Sequence, residues 1–185
     1  MTDDIRIRPA TPADSDAIAR VHVETWQATY AGILPDSYLI GLSAEQQAKS
    51  WRAMLTHPES GAATLVVEAQ FEDIMPEIVG FGSAGRARDI HLLYDGEIYS
   101  LYVAPDWQGQ GLGQRLLSLL FRRLYEADMD DALLWVLAEN PTRFFYEHMG
   151  GQRIATRQET LAGESLEAVA YGWSDLEAWL QQVGA

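Results

Sequence analysis

Apolar residues recur at helical spacing in some stretches of the chain and alternate or cluster in others. Leu112, Leu116, Leu120 and Leu124 repeat every four residues, with Leu117 and Phe121 widening the stripe. This predicts an amphipathic helix that ends near Asp128. Thr11-Pro12-Ala13-Asp14 combines a capping Thr, a Pro at the first helical position and an acid three residues after the cap. A helix is expected from there to about Tyr30, with Ile18, Val21 and Ala28 inward. Gly32 to Pro35 break it. A second helical stretch, Asp36 to His57, carries Tyr38, Leu39, Leu42, Trp51, Met54 and Leu55 and is interrupted at Gly41. Asn140-Pro141 caps a further helix to Met149, closed by Gly150-Gly151. Ser174 and Glu177 have capping-box spacing for a short terminal helix through Trp179.

The remaining runs read as strands. Ile5 to Arg8 alternates. Ala63 to Ala69 and Ile78 to Ala84 are joined by an acidic turn containing Pro76, and Glu97 to Val103 follows. Ala132 to Ala138 is almost wholly apolar, as expected of a strand covered on both faces. Gln152 to Thr160 and Leu166 to Trp173 make a hairpin around Ala162-Gly163. No repeat or interdomain linker interrupts the series, so residues 1–185 are expected to form a single domain with the order β-α-α-β-β-β-α-β-α-β-β.

Composition narrows the function. An apolar content of 48% with six Trp describes a folded chain. No apolar run approaches the length of a membrane span, and Thr2-Asp3-Asp4 is not the basic start of a signal peptide. A cytoplasmic protein is expected. The absence of Cys excludes a disulfide scaffold, thiolate zinc ligands and a Cys nucleophile. No His/Asp/Glu spacing suggests a metal. A net charge of −14 argues against nucleic acid and anionic membranes as partners. It maintains solubility, and its field would concentrate a cationic acceptor.

The chemistry is concentrated between Tyr102 and Gly113. An apolar strand ends, a turn follows, and Gly109, Gly111 and Gly113 open the Leu-striped helix. Glycine leaves main-chain amides uncovered, and the first amides of a helix lack intrahelical partners, so the turn suits a phosphate or pyrophosphate. A P-loop would need a Lys after the glycines, and a dinucleotide fingerprint would need a glycine at Gln114. Gln108-x-x-Gly111-x-Gly113 instead resembles the acyl-CoA pyrophosphate loop of the GNAT superfamily, the Gcn5-related N-acyltransferases. The element order and two further segments carry the same resemblance. These are Ala138 to Pro141 followed by Phe145 to Gly150, and the opening Ile7-Arg8-Pro9-Ala10-Thr11 with Ala17-Ile18. Gly151-Gln152 departs from the family, which often has an aromatic after the glycine.

The resemblance implies an α+β fold, an α/β/α sandwich. Its sheet would be mixed and mostly antiparallel, with a splay between strands four and five and helices on both faces. It implies acetyl-CoA as co-substrate and direct transfer of the acetyl group to a primary amine in a ternary complex. Loop residues Gln108, Gly109, Gln110, Gly111, Leu112, Gly113 and Gln114 would bind the pyrophosphate. Leu101, Tyr102 and Val103 would hold the pantetheine arm, and Asn140 would contact CoA or serve only as a helix cap. Tyr146 resembles the family's general acid for the departing thiolate. Glu97, four residues before Leu101, resembles a base. Alternation along the strand would put Glu97, Tyr99 and Leu101 on one face. Trp26 and Tyr30 fall where the family walls its acceptor pocket, and Tyr99 would look into one cleft with Glu97 as a substrate-binding residue. His91 and Asp95 are weaker base candidates, and His148 reads as a surface residue at a helix end. The acceptor is expected to be a small molecule or peptide amine, and the resemblance allows a homodimer. A non-catalytic acyl-CoA-binding domain would need the glycine turn but neither Glu97 nor Tyr146. A nucleotide-binding regulatory domain would need affinity for NAD or ATP.

Overall fold

The alternating and apolar runs become seven strands: β1 (Asp4–Pro9), β2 (Ala63–Phe71), β3 (Ile74–Arg86), β4 (Gly96–Val103), β5 (Ala132–Leu137), β6 (Gln152–Leu161) and β7 (Glu164–Trp173). The periodic stretches become α1 (Ser15–Thr29), α2 (Asp36–Ile40), α3 (Ala44–Thr56), α4 (Leu112–Glu126), α5 (Arg143–His148) and α6 (Leu176–Val183). The structure is a computed structural model that describes residues 4–71 and 74–183. The sheet order is β1-β2-β3-β4-β5-β7-β6. Every pairing is antiparallel except β4 with β5. No helix among the described residues is long and apolar enough to cross a membrane.

Both faces of the sheet are covered. α4 inserts Leu116, Leu117, Leu120, Phe121 and Leu124, all fully buried, against Leu65, Val67 and Ala69 of β2 and Leu134 of β5. α6 closes the same layer through Leu176 and Trp179. The opposite layer packs Ile18, Ala19 and Val21 of α1 and Trp51 of α3 on Val66, Ile78 and Phe81. Residues on β2 therefore alternate between two apolar layers, which is why the strand reads as a continuous run. Arg8 pins the start of α1 to the sheet, donating to Asp14 at 2.9 Å and to Glu68 at 2.7 Å. These hydrogen bonds from Arg8 lower the Asp14 carboxyl to about 2.

Several local expectations are corrected. Ala28 is exposed, and Thr25 is the buried α1 residue near that end. Pro76 lies within β3 rather than in a turn, beside a register irregularity that spares the ladder the missing N–H. Glu72 and Asp73 of the expected turn lie outside the described residues. The terminal helix is capped by Asp175, which accepts from Ala178 N at 2.8 Å, and not by Ser174. Asn140 precedes its helix by more than a cap, since α5 starts at Arg143. The space beside Gly151 is filled by the Trp173 ring, whose indole N–H donates to the Met149 carbonyl at 2.9 Å. An aromatic from β7 thus packs there.

The β6–β7 hairpin turns through Ala162 (φ 55°) and Gly163 (φ 82°). Two successive positive φ values match the twist of the strands, but they penalise an alanine Cβ. Ala162→Asn is expected to raise stability by about 0.5–1 kcal/mol in urea unfolding, because Asn tolerates this conformation. A loss of stability would show that the turn is held by contacts of the methyl group instead.

Candidate active site

β4 and β5 are register-paired only at Gly96 with Ala132 and Glu97 with Leu133. Beyond those two pairs the strands part, and β4 presents Leu101, Tyr102 and Val103 along a free edge. The gap continues into a cleft of about 440 Å³. Its lining comes from this edge, from the glycine turn, from α5 and from Thr25 and Thr29 of α1. None of the lining side chains is Asp, Glu, Lys or Arg.

The glycine turn forms part of the lining. Gly109 (φ 73°) and Gly111 (φ 76°) adopt the left-handed conformation, and a Cβ on either would meet nothing within 4 Å. Gly111 caps α4 without any side-chain hydrogen bond, so the first amides of this 15-residue helix remain available. The Gln108 side chain donates to the Val103 carbonyl at 3.0 Å, tying the turn to the end of β4. Open amides and no covering side chain fit a pyrophosphate, and the free strand edge beyond fits an extended amide-bearing arm. Gln110 is the one turn residue that does not line the cleft.

Tyr146 of α5 also lines the cleft. It is buried, and its hydroxyl makes no hydrogen bond with the described residues. Burial pushes its phenol well above the usual value of 10, with Tyr102 and Tyr30 adding to the effect. The group therefore stays protonated at neutral pH and can donate. Asn140 is also buried and also lines the cleft. Its Oδ1 accepts from Thr142 N at 2.8 Å and its Nδ2 donates to the Tyr30 hydroxyl at 3.1 Å. The side chain thus shapes the turn into α5 and links it to α1.

The other candidates fall elsewhere. Tyr99 is the extra residue of a β4 bulge, since Ser83 pairs with Ser100 and Ala84 with Ile98. The extra residue breaks the alternation expected to place Glu97, Tyr99 and Leu101 on one face. Glu97 is 1% exposed and does not line the cleft. Its Oε2 accepts from Arg88 N at 2.9 Å, and its Oε1 accepts from the Arg88 guanidinium. Tyr99 donates to the Arg86 carbonyl at 2.6 Å and carries the Arg88 guanidinium over its ring. The main-chain amides of His91 and Asp95 donate to Asp89 Oδ1 at 3.0 Å and to Asp131 Oδ1 at 2.7 Å, and neither residue lines the cleft. Trp26 and Tyr30 brace the cleft from behind. Trp26 donates to the Tyr102 hydroxyl at 3.1 Å and packs on Tyr30 at 4.9 Å between centroids. His148, expected at the surface, is exposed but also borders the cleft.

Glu97→Gln is therefore expected to lower stability by about 1–2 kcal/mol, through weaker bonds to Arg88, and to change kcat only slightly. Unchanged stability with a hundredfold loss of kcat would restore a base role for Glu97.

Sequence reasoning missed Thr25 and Thr29, whose helical spacing signalled only an α1 face. His22, one turn before Trp26, stacks on Tyr102 at 5.3 Å and lies near Phe81. Burial lowers its imidazole from 6.5 to about 4. The sign follows directly. Below pH 6.5 the unfolded chain takes a proton at His22 that the folded chain refuses until about pH 4, so folding stability falls across that window. Urea unfolding at pH 7 and pH 5 is expected to show a larger loss in the wild type than in His22→Phe. Equal losses would mean that the ring is freely protonated in the fold.

A family model described as an acetyltransferase (GNAT) domain matches residues 60–150, from β2 through α5. YuaI of Bacillus subtilis, an uncharacterised N-acetyltransferase, is 33% identical over 94% of this chain and 95% of its own length. The chain belongs to the GNAT acetyltransferase family. Phosphinothricin N-acetyltransferase of Streptomyces coelicolor is 24% identical over 85% of this chain and 90% of its own length. Among solved structures, yncA of Salmonella typhimurium, which carries acetyl-CoA, superposes with a TM-score of 0.67 at 22% identity, covering 94% of each chain. The mixed seven-stranded sheet with one parallel pair is the GNAT fold.

Proposed function

We propose that this GNAT chain is an N-acetyltransferase that moves an acetyl group from acetyl-CoA to a primary amine by direct attack in a ternary complex. The carrying observation is the cleft itself, which brings together a free β4 edge, uncovered α4 amides and the buried Tyr146 phenol. Amides from Gln108 to Gln114 hold the pyrophosphate. Main-chain groups of Leu101 to Val103 hold the pantetheine arm and orient the thioester carbonyl. As the amine forms the new C–N bond, the C–S electron pair leaves with sulfur, and the Tyr146 hydroxyl donates its proton there. The chain contains no Cys for a thioester intermediate. A relative named for N-acetylation of phosphinothricin supports a small-molecule acceptor, and the net charge of −14 supports attraction of cationic amines.

The test is an amine panel with detection of released thiol. Amino acids, polyamines, aminoglycosides and peptide N-termini are offered with acetyl-CoA. Stimulation of CoA release by one class supports the reading and names the acceptor. The sealed Glu97 carboxylate favours a second reading, a non-catalytic acyl-CoA-binding domain. Tight acetyl-CoA binding with no amine-stimulated release would establish that alternative.

A further inference from the structure

Acetyl-CoA carries a pyrophosphate and a further phosphate on its ribose, so it brings several negative charges to a chain whose net charge is −14. The field of such a chain repels an anion. A helix N-terminus sets only about half a positive charge against it. Among the described residues that line the cleft, His148 of α5 is the one whose side chain can take up a full positive charge. It is exposed, and its ring has no hydrogen-bond or ion-pair partner among the described residues. His148 follows Phe145 by three residues and so shares its helix face. Phe145 lies 3.5 Å from the position that a Cβ on Gly113 would take, in the first turn of α4. The imidazole is therefore carried on the face of α5 that meets the glycine turn. The nearby arginines are engaged elsewhere. Arg115 of α4 donates to the Ile5 carbonyl at 3.4 Å, and Arg143 of α5 lies over the Phe144 ring and 3.9 Å from Glu147.

We propose that the His148 imidazolium binds a phosphate of acetyl-CoA and supplies the positive charge that the glycine turn lacks. The proposal rests on the reading of the cleft as an acetyl-CoA site. A protonated imidazole carries two N–H donors and no acceptor, which suits a phosphate oxygen. Main-chain amides of α4 and the imidazolium of α5 then hold the donor's phosphates from two elements. The charge appears only on protonation, so donor affinity rises as pH falls from 8 to 6. The other groups around the imidazole keep one charge state across that window. Tyr102 and Tyr146 retain their phenolic protons, since burial raises both. His22, stacked on Tyr102, stays neutral because burial lowers it to about 4. Glu147 is next to His148 in the chain and accepts from the Tyr171 hydroxyl at 2.6 Å. A cation that only complemented the end of α5 would not couple to the donor at all.

The test titrates the full chain with acetyl-CoA at pH 6 and pH 8, as wild type, His148→Gln and His148→Arg. His148→Gln is expected to weaken binding about five- to tenfold at pH 6 and by roughly twofold or less at pH 8, as befits an exposed charge-assisted hydrogen bond. Titration of the ligand's own phosphate is common to all three proteins, so His148→Gln supplies the baseline. His148→Arg, with its permanent charge, should restore affinity and bind more tightly than the wild type at pH 8. Acetyl-CoA lacking the ribose phosphate locates the contact. An effect of His148→Gln that vanishes with this ligand supports the proposal at the ribose phosphate, and one that persists supports it at the pyrophosphate. Equal affinity of wild type and His148→Gln at both pH values overturns the proposal and leaves the acetyl-CoA reading intact. A lower Tm with unchanged affinity also overturns it, in favour of a helix-end role. So does a loss that is equal at both pH values and that His148→Arg fails to restore, because packing and not charge is then at work. Wild-type protein that binds no acetyl-CoA overturns both readings.

Discussion

Tyr146→Phe is expected to lower kcat by roughly 100-fold or more while acetyl-CoA binds as tightly as to the wild type. The size follows from what is removed. The ring stays, so its contacts with Phe145 and Tyr171 and the local packing of α5 are kept. Only the hydroxyl is lost. That hydroxyl faces no partner among the described residues and stays protonated, because burial raises its pKa well above the usual 10. Its hydrogen bond strengthens as negative charge grows on sulfur, so its removal affects the transition state more than the bound ground state. Stopped-flow acetyl transfer beside calorimetric binding separates the two effects. Equal losses of affinity and kcat would make Tyr146 a binding residue, and an unchanged kcat would remove it from the chemistry.

Gly111→Val is expected to weaken acetyl-CoA binding more than tenfold. Gly111 has a φ of 76°, which a β-branched residue adopts only with strain. The open space around its Cβ position means that no protein atom would clash there. The cost arises instead from two sources: the backbone relaxes away from the left-handed conformation, and the new side chain covers amides of the proposed pyrophosphate site. The fold should survive, since α4 is held by its buried leucine face. Binding isotherms and thermal melts of the same preparation read both quantities. Retained affinity with a lowered Tm would assign Gly111 to the architecture of the turn alone.

The parts of this molecule with strong periodicity were legible before any coordinates. The Leu112–Leu124 stripe, the apolar β5 run and the Ala162-Gly163 turn each satisfy one dominant local constraint, and each lies where expected. The conformation of the glycine turn was equally legible, because Gly109 and Gly111 take a positive φ at the entry to α4 that few other residues adopt. The splay was legible only through family resemblance, since an unpaired strand edge leaves no mark in hydrophobic pattern. The face of Glu97 was not legible at all. One extra residue at Tyr99 reverses everything on one side of it, and bulges carry little local signal. Arg88, which seals Glu97, comes from the preceding loop, where a guanidinium looks like ordinary surface charge. The cap reading of Asn140 and the turn reading of Pro76 failed because each residue type serves more than one local structure. Asn-Pro can close a turn short of a helix, and Pro can sit in a strand at an irregularity. Thr25 was not legible as a cleft residue, because helical spacing marks only the face it occupies.

Calorimetric titration of the wild-type protein with acetyl-CoA, with NAD and ATP as controls, tests the central claim most directly. Micromolar binding of acetyl-CoA, competed by CoA and by neither nucleotide, is the predicted result. Absence of acetyl-CoA binding, or equal binding of NAD or ATP, would contradict it. The glycine turn would then be structural or built for another phosphate, and the role given to Tyr146 would lose its basis.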